Sequence, residues 1–255
     1  MSTERPILFS GGMVQAILAG RKSQTRRVVT RGTSYLDGSA PDKERWSELD
    51  FNDAHVDPGP SPAGNPGPYL KVARTTKTDV FRHRIYPRFW PGMKLWVRET
   101  WAPADLWVDG HEKDDPESIR YRADGEALRF SASGKSHALD TYAWTQPDKW
   151  RPSIFLPRWA SRLTLEITSV RVERLQEITE EDSKAEEVDP YVMGHGPVTR
   201  EDLRSEPGYH GPRIYRDGFE HVWDSLNKAR GYSWESNPWV WVLGFRRLEA
   251  GERAA

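Results

Sequence analysis

The chain has 255 residues, and its 37 Lys and Arg nearly balance its 38 Asp and Glu, so the formal net charge of −1 gives no overall field that attracts nucleic acid. The absence of cysteine excludes disulfides, thiolate nucleophiles and cysteine-based zinc sites. No apolar run reaches the about 18 residues of a membrane-spanning helix and the N-terminal stretch is polar, so we expect a cytoplasmic protein without membrane contact.

A short amphipathic helix and then a strand are predicted near the start of the chain. Ser10 is a good N-cap for the helix. Apolar residues with a helical period follow at Met13, Val14, Ile17 and Leu18. Gly20 stands where the end of a helix favours a residue that tolerates positive φ. Residues 26–29 then predict a strand.

The turn between this helix and strand concentrates reactive side chains. An amine, a hydroxyl and two guanidinium groups come from Lys22, Thr25, Arg26 and Arg27. Three simpler interpretations stay open: a solvated lysine at a helix C-terminus, an ordinary strand threonine, and a phosphate-contacting patch made by the five cations of residues 21–31. The acidic segment 173–189 is a candidate to neutralise such a patch.

Three long stretches are predicted to be loop insertions into a single domain over residues 1–255, at about residues 32–90, 102–158 and 188–212. Within the first stretch, the prolines and glycines between residues 57 and 68 exclude a helix or a central strand. Within the second stretch, residues 107–110 and 119–125 predict short strands with turns.

Glu99 lies on the apolar face of a predicted strand. Within residues 94–101 it alternates in line with Leu95, Val97 and Trp101. An acid among apolar side chains either lines a binding pocket or pairs with a nearby arginine, and both interpretations stay open.

Two further strands are predicted in the second half of the chain. Residues 162–172 alternate as a strand, and a change of parity near Thr168 and Ser169 predicts a bulge. The nearly continuous apolar run 239–245 predicts a strand that is buried on both faces. Few long helices and several separated strands favour an α+β domain around a small barrel.

Two helices are predicted between those strands. Thr179 is a good N-cap, Asp182 takes the position of the capping-box acid, and Glu186 follows one turn later on the same face. Glu186 is either a functional carboxylate or one of several solvated helix acids. Residues 219–226 carry the apolar stripe of the second helix.

Several segments of the chain resemble the ASCH domain, a PUA-like β-barrel with flanking helices. The short signature of that family is matched by Gly20, Lys22, Thr25 and Arg27. The segments that share the likeness cover roughly half of the chain, at residues 7–27, 91–101, 158–186 and 219–245. The nearest likeness is to the long versions of phage and prophage proteins. The resemblance therefore implies an α+β, PUA-like fold with a small mixed β-barrel, flanking helices and long loop insertions.

The resemblance also implies a function directed at nucleosides or RNA. One branch of ASCH proteins is a bacterial amidohydrolase that removes the acyl group from N4-acetylcytidine with a lysine, a threonine and a glutamate. The spacing in that branch matches Lys22, Thr25 and Glu186, whereas other ASCH domains carry glutamate at the position of Thr25. The branch is compact and lacks the three insertions. A non-catalytic reader of RNA or modified bases and an RNA-cleaving ASCH protein are the alternatives.

Amide hydrolysis needs a nucleophile, a base and a group that stabilises an oxyanion. We expect Thr25 to be the nucleophile, Lys22 the activating base and Glu186 the proton carrier or positioning acid. Contacts to a modified nucleoside, a nucleotide or RNA are expected from Arg26, Arg27, Glu99, Trp96, Trp101 and Trp239. None of the seven histidines has the spacing of metal ligands, so we expect neither a metal nor a cofactor.

Overall fold

The computed structural model describes residues 4–36, 46, 49–59, 67–75, 80–108, 111–130, 136–138, 149–188, 191–192, 196–197 and 213–249. The chain divides into two compact units. Unit 1 comprises Met1–Lys22, Met93–Glu166 and Arg246–Ala255, and unit 2 comprises Ser23–Gly92 and Ile167–Phe245. Because both units are assembled from interleaved segments, they are not consecutive domains, and the single domain over residues 1–255 stays a prediction.

The architecture is mixed α+β, with several sheets and few helices. In chain order, the described elements are β1 (Glu4–Leu8), α1 (Gly11–Leu18), β2 (Gln24–Val28), β3 (Ser34–Leu36), β4 (Leu49–Asp57), β5 (Tyr69–Thr75), β6 (Val80–Pro87), β7 (Lys94–Arg98), β8 (Trp101–Val108), β9 (His111–Tyr121), β10 (Ala127–Phe130), β11 (Ser136–Ala138), β12 (Thr164–Arg174), α2 (Glu180–Ala185), β13 (Tyr191–Val192), β14 (Gly196–Pro197), β15 (Arg213–Ile214), α3 (Tyr215–Asn227) and β16 (Trp239–Arg247). None of the helices in these ranges is both long and apolar enough to cross a membrane.

Unit 1 contains α1 and a four-stranded sheet in the order β11-β10-β9-β8. Strand β1 runs parallel to β7, and β7 pairs antiparallel with the first residues of β12. The predicted start of α1 is confirmed, because the Ser10 hydroxyl accepts from the Met13 backbone N–H at 3.4 Å. Its predicted end is also confirmed: Gly20 has φ +70°, a conformation that a residue without Cβ adopts at little cost.

Unit 2 contains a second four-stranded sheet, in the order β3-β6-β5-β4. Strand β2 pairs antiparallel with β16, with Thr25 opposite Leu243. In β12, Thr168 and Ser169 are both exposed, and the buried positions change parity from Ile167 to Val172. This break of the alternation lies where the sequence predicts a bulge.

Strand β16 is buried on both faces, as its continuous apolar run predicts. One face contributes Trp241 and Leu243 to a cluster with residues of β4, β5 and β6. The opposite face contributes Val240 and Val242 to a cluster with Phe219 of α3. Because a strand alternates its side chains, a strand between two hydrophobic layers has to be apolar at every position.

The prediction of a long loop insertion is wrong for residues 32–90, whereas strands are found in residues 102–158, where the sequence predicts two short ones. Residues 32–90 contain β3 to β6, and residues 102–158 contain β8 to β11. Lys71 and Arg84 illustrate why, because each stands beside buried residues of its strand, and strands of such mixed polarity resemble loops in composition. The closed barrel is also not found: no sheet formed by the described residues closes on itself. In the third stretch, at residues 188–212, the structure describes β13 and β14. In the first stretch, residues 60–66 of the proline-rich run lie outside the described residues.

Candidate functional site

The predicted site residues belong to both units. Lys22, Trp96, Glu99 and Trp101 belong to unit 1, and Thr25, Arg26, Arg27, Glu186 and Trp239 belong to unit 2. Lys22 is 3% exposed, and its backbone N–H donates to the Ala16 carbonyl at 3.2 Å just after α1. The interpretation of Lys22 as a solvated cation is therefore wrong.

Thr25 and Arg26 are positioned by the pairing of β2 with β16. Thr25 is 4% exposed and lies opposite Leu243, and Arg26 lies opposite Val242. A strand in a fixed register keeps consecutive side chains on opposite faces, so the two residues point away from each other. Both positions are buried, and the interpretation of Thr25 as an ordinary strand threonine stays open.

Glu186 is buried directly after helix α2. The Thr179 hydroxyl caps α2 by accepting from the Asp182 backbone N–H at 3.1 Å, as the sequence predicts. The Glu186 backbone N–H donates to the Asp182 carbonyl at 2.9 Å, which places the glutamate at the C-cap. Glu186 is 5% exposed, so the interpretation of a solvated helix acid is wrong.

Arg26 binds three carboxylates in unit 2. Its Nη1 donates to Glu186 Oε1 at 3.2 Å, and its Nη2 donates to Glu173 Oε1 at 2.6 Å and to Asp182 Oδ2 at 2.9 Å. The guanidinium carbon lies 5.7 Å from the centre of the Phe219 ring. We call Arg26, Glu173, Asp182 and Glu186 the Arg26 cluster. Of the predicted residues, the structure thus brings Arg26 and Glu186 into contact.

A second arginine borders the Arg26 cluster. Arg171 donates to Glu173 Oε2 at 3.0 Å and also binds Asp182. Burial alone would raise the pKa of Asp182, but the hydrogen bond from Arg171 and the charges of Arg171 and Arg26 lower that pKa below its usual value. The Asp182 carboxylate therefore binds these two arginines instead of completing the capping box of α2. The sequence leaves open whether the acidic segment 173–189 neutralises the basic run, and Glu173 and Asp182 of that segment do so for Arg26.

Arg27 lies on the other face of β2, opposite Trp241 of β16. Burial lowers the pKa of the Arg27 guanidinium, the charge of Glu186 raises it, and Arg230 lowers it further. An arginine with a lowered pKa still carries its proton at neutral pH. Arg27 is therefore a half-buried cation that interacts with the same carboxylate as Arg26.

Glu99 is paired with an arginine in unit 1. The Arg162 Nε and Nη2 atoms donate to its two carboxylate oxygens at 2.8 and 2.7 Å, and both side chains are buried. Arg162 Nη1 donates to Asp124 Oδ2 at 2.8 Å and also binds Glu126. Its guanidinium carbon lies 4.1 Å from the centre of the Tyr121 ring. Of the two interpretations of Glu99, the structure supports the ion pair.

Trp96 and Trp239 are held by contacts within the protein. The guanidinium of Arg98 lies 4.5 Å from the Trp96 ring centre in unit 1. In unit 2, Arg174 lies 4.5 Å from the Trp239 ring centre, and the Trp239 indole N–H donates to the Phe51 carbonyl at 3.0 Å. Because a protein cation covers each ring, neither indole is free on both faces to stack a nucleobase.

Trp101 lines a cavity in unit 1. The cavity has a volume of about 520 Å³ and is bordered by Trp101, Lys149, Trp150, Arg151, Pro152, Phe155 and Pro157. Arg151 lies 4.9 Å from the Trp101 ring centre, and the buried indole N–H has no hydrogen-bond partner within the described ranges. The sequence prediction includes only Trp101 of these residues. The sequence signal that could have identified the other lining residues is the run 149–159, which contains basic and aromatic residues and no acidic residue.

No protein-family model, no curated protein and no solved structure matches the chain. The ASCH assignment therefore depends on the resemblance of the sequence alone, that is, on the signature at residues 20–27 and the segments that share the likeness, and it stays a prediction. Among the residues that the structure describes, no group of three or more His, Cys, Asp or Glu is arranged to hold a metal ion.

Proposed function

We propose that this protein hydrolyses an N-acyl amide on a cytosine-type nucleoside or nucleotide. The observation that supports this proposal is the burial of all three side chains of the predicted catalytic set. Lys22, Thr25 and Glu186 are 3%, 4% and 5% exposed, although a lysine at a helix end and a glutamate beside a short helix are ordinarily solvated. Burial of ionisable side chains is costly even when they are paired, as Glu186 is with Arg26, and functional sites are one place where proteins retain them.

The proposed reaction begins when the Thr25 hydroxyl attacks the acyl carbonyl. Thr25 gives its proton to the neutral Lys22 amine as the new C–O bond forms, and that proton passes to the exocyclic amine as the C–N bond breaks. Water then hydrolyses the acyl-threonine, which releases the carboxylic acid and restores the hydroxyl. Holding a lysine amine neutral near pH 7 costs roughly 4–5 kcal/mol relative to its ordinary pKa. Burial of Lys22 acts in that direction.

Glu186 and Arg27 have supporting roles in the proposed reaction. Arg26 holds one oxygen of the Glu186 carboxylate, which fixes the orientation of this acid for proton transfer. Arg27 carries a fixed positive charge on the face of β2 opposite Arg26, where it can stabilise the oxyanion of the tetrahedral intermediate.

Turnover of N4-acetylcytidine to cytidine and acetate, followed by the change in ultraviolet absorbance, tests the proposal. We expect Thr25→Val, Lys22→Met and Glu186→Gln each to lower kcat/KM at least about 100-fold, because each removes a proton-transfer or nucleophilic group. Thr25→Ser keeps a hydroxyl and should retain much of the activity. Lys184→Met and Glu181→Gln are matched controls on exposed positions of α2 and should behave as the wild type.

The proposal fails if the wild-type protein shows no turnover, or if Thr25→Val is as active as the wild type while both proteins are folded. An RNA-cleaving ASCH protein is the other catalytic alternative. Incubation of RNA at high protein concentration separates the two, because nicked RNA without release of cytidine would favour cleavage.

The cavity beside Trp101 favours a second candidate function, the non-catalytic binding of RNA or a modified nucleobase. Phe155 is 67% exposed at its edge, and neither Lys149 nor Arg151 forms an ion pair within the described part of the chain. Exposed aromatic rings stack bases, and unpaired cations attract phosphates. These are the two interactions that hold a single strand of RNA.

Binding of a short single-stranded RNA, measured by fluorescence anisotropy at several salt concentrations, tests this candidate. We expect affinity to fall with salt, and Phe155→Ala to weaken binding about 5- to 100-fold because stacking contributes about 1–3 kcal/mol per base. Leu226→Ala removes a similarly exposed apolar residue from α3 and is the matched control. Equal effects of the two substitutions would contradict a stacking role for Phe155.

A further inference from the structure

The outer face of the β3-β6-β5-β4 sheet in unit 2 carries a row of basic side chains. The register places His55 of β4 opposite Lys71 of β5, and Lys71 opposite Arg84 of β6. The neighbouring residues Leu70 and Ile85 are fully buried in the hydrophobic cluster beneath the sheet. Because side chains alternate along a strand, Lys71 and Arg84 lie on the opposite face, side by side.

These residues border a cavity. Its volume is about 340 Å³, and the described residues that line it are His55, Lys71, His83 and Arg84. Each of the four side chains carries, or can gain, a positive charge. Like charges directly opposite each other on neighbouring strands are unfavourable, so a row of this kind is stabilised by a negative partner.

Asp57 is the negative partner of Lys71 within the protein. Its Oδ2 atom lies 2.7 Å from Lys71 Nζ and accepts a hydrogen bond from the Tyr69 hydroxyl at 2.8 Å. The hydrogen bond from Lys71 is the main cause that lowers the pKa of Asp57 to about 2, with Tyr69 and the Gly59 backbone N–H adding to it. Asp57 is therefore ionised at neutral pH and competes with any bound anion for Lys71.

Tyr69 also positions the two central cations. Lys71 Nζ lies 5.8 Å from the centre of its buried ring, and the guanidinium carbon of Arg84 lies 6.0 Å from the same centre. A ring that contacts both cations holds them in place by cation–π attraction. The arginine and the lysine are thus kept close together before a ligand arrives, which reduces the entropy cost of binding.

We propose that this cavity binds a phosphoryl oxyanion of the diphosphate or polyphosphate type. The Arg84 guanidinium provides several N–H donors in one plane, Lys71 provides a point charge, and the imidazole of His55, opposite Lys71, provides a further donor. The bound anion takes the place of the Asp57 carboxylate at Lys71. This inference goes beyond the proposed hydrolysis and does not depend on it, because it involves a different set of residues.

Isothermal titration of the full-length protein with sodium pyrophosphate at constant ionic strength tests the proposal. We expect saturable binding that Lys71→Met and Arg84→Met each weaken at least about tenfold, as loss of a charged donor at a preformed site does. Asp57→Asn removes the competing carboxylate and should tighten binding several-fold. Lys228→Met removes an exposed lysine of unit 2 far along the chain and is the matched control, with no change expected.

A second experiment distinguishes a free diphosphate or polyphosphate from the phosphates of a polynucleotide as the ligand. In this experiment a short single-stranded RNA replaces pyrophosphate. If only the RNA binds, and if Lys71→Met and Asp57→Asn change its affinity, the site binds the phosphates of a polynucleotide. No saturable binding of either probe, or binding that is unchanged by Lys71→Met and Asp57→Asn, overturns the proposal. The gain expected for Asp57→Asn cannot arise from misfolding, and circular dichroism melting checks that the other variants are folded.

Discussion

Replacing Arg26 with methionine should lower the free energy of unfolding by about 3–5 kcal/mol at pH 7, the range expected when one partner of a buried ion pair is removed. The Arg26 side chain is 1% exposed and binds Glu173, Asp182 and Glu186. Methionine fills much of the same space but leaves these carboxylates without their shared cation, and Glu186 cannot reach water to compensate. Urea unfolding followed by tryptophan fluorescence measures the loss.

Arg171→Met is the matched control for Arg26→Met. Arg171 binds Glu173 and Asp182 as well, but its side chain is 42% exposed, so its removal should cost less than about 1 kcal/mol. If both variants lowered the free energy of unfolding equally, burial would not determine how much each arginine stabilises the Arg26 cluster.

The Arg26→Met effect should also depend on pH. The lowered pKa of Asp182 means that its contribution to stability is present above the pKa of the unfolded chain and is lost as pH falls through the folded pKa. The two proteins should therefore differ most near neutral pH and least in acid, where the carboxylates of the variant are protonated. Unfolding at pH 7 and at pH 4 provides the comparison.

Arg162→Met should destabilise the protein by about 3–5 kcal/mol through the same mechanism in unit 1. Burial raises the pKa of Glu99, and the hydrogen bond and charge of Arg162 oppose that rise. Without Arg162 the pKa of Glu99 in the folded protein rises further. The variant therefore keeps its stability below the pKa that Glu99 has in the unfolded chain, and loses stability as pH increases through the pKa of Glu99 in the folded protein. The loss measured by urea unfolding should be larger at pH 7 than at pH 4.

Two variants separate the ion pair from other effects of Arg162→Met. Arg246→Met removes an exposed arginine that binds Glu166 in the same unit, and it should cost less than about 1 kcal/mol. The double variant Glu99→Leu with Arg162→Met removes the buried carboxylate together with its partner, and should recover at least about half of the single-variant loss. No recovery would mean that the contacts of Arg162 with Tyr121, Asp124 and Glu126 dominate instead.

Features that depend on residues close together in the chain are predicted correctly from the sequence. The caps made by Ser10 and Thr179, the positive φ of Gly20 and the parity break near Thr168 were all predicted and are all present. The burial of β16 on both faces was also predicted, because a run of apolar residues needs no knowledge of its neighbours. Each of these features is set by local geometry or by the side-chain period of one element.

Which charged side chains form ion pairs depends instead on the packing of distant parts of the chain. The sequence predicts a substrate contact for Arg26, whereas the structure shows Arg26 bound to Glu173, Asp182 and Glu186, which lie 147, 156 and 160 residues further along the chain. The sequence predicts no functional or pairing role for Arg162, although Arg162 neutralises Glu99 at a separation of 63 residues. A single buried arginine can accept any carboxylate that packing brings within reach, and with 38 acidic residues to choose from, spacing along the chain cannot select the partner.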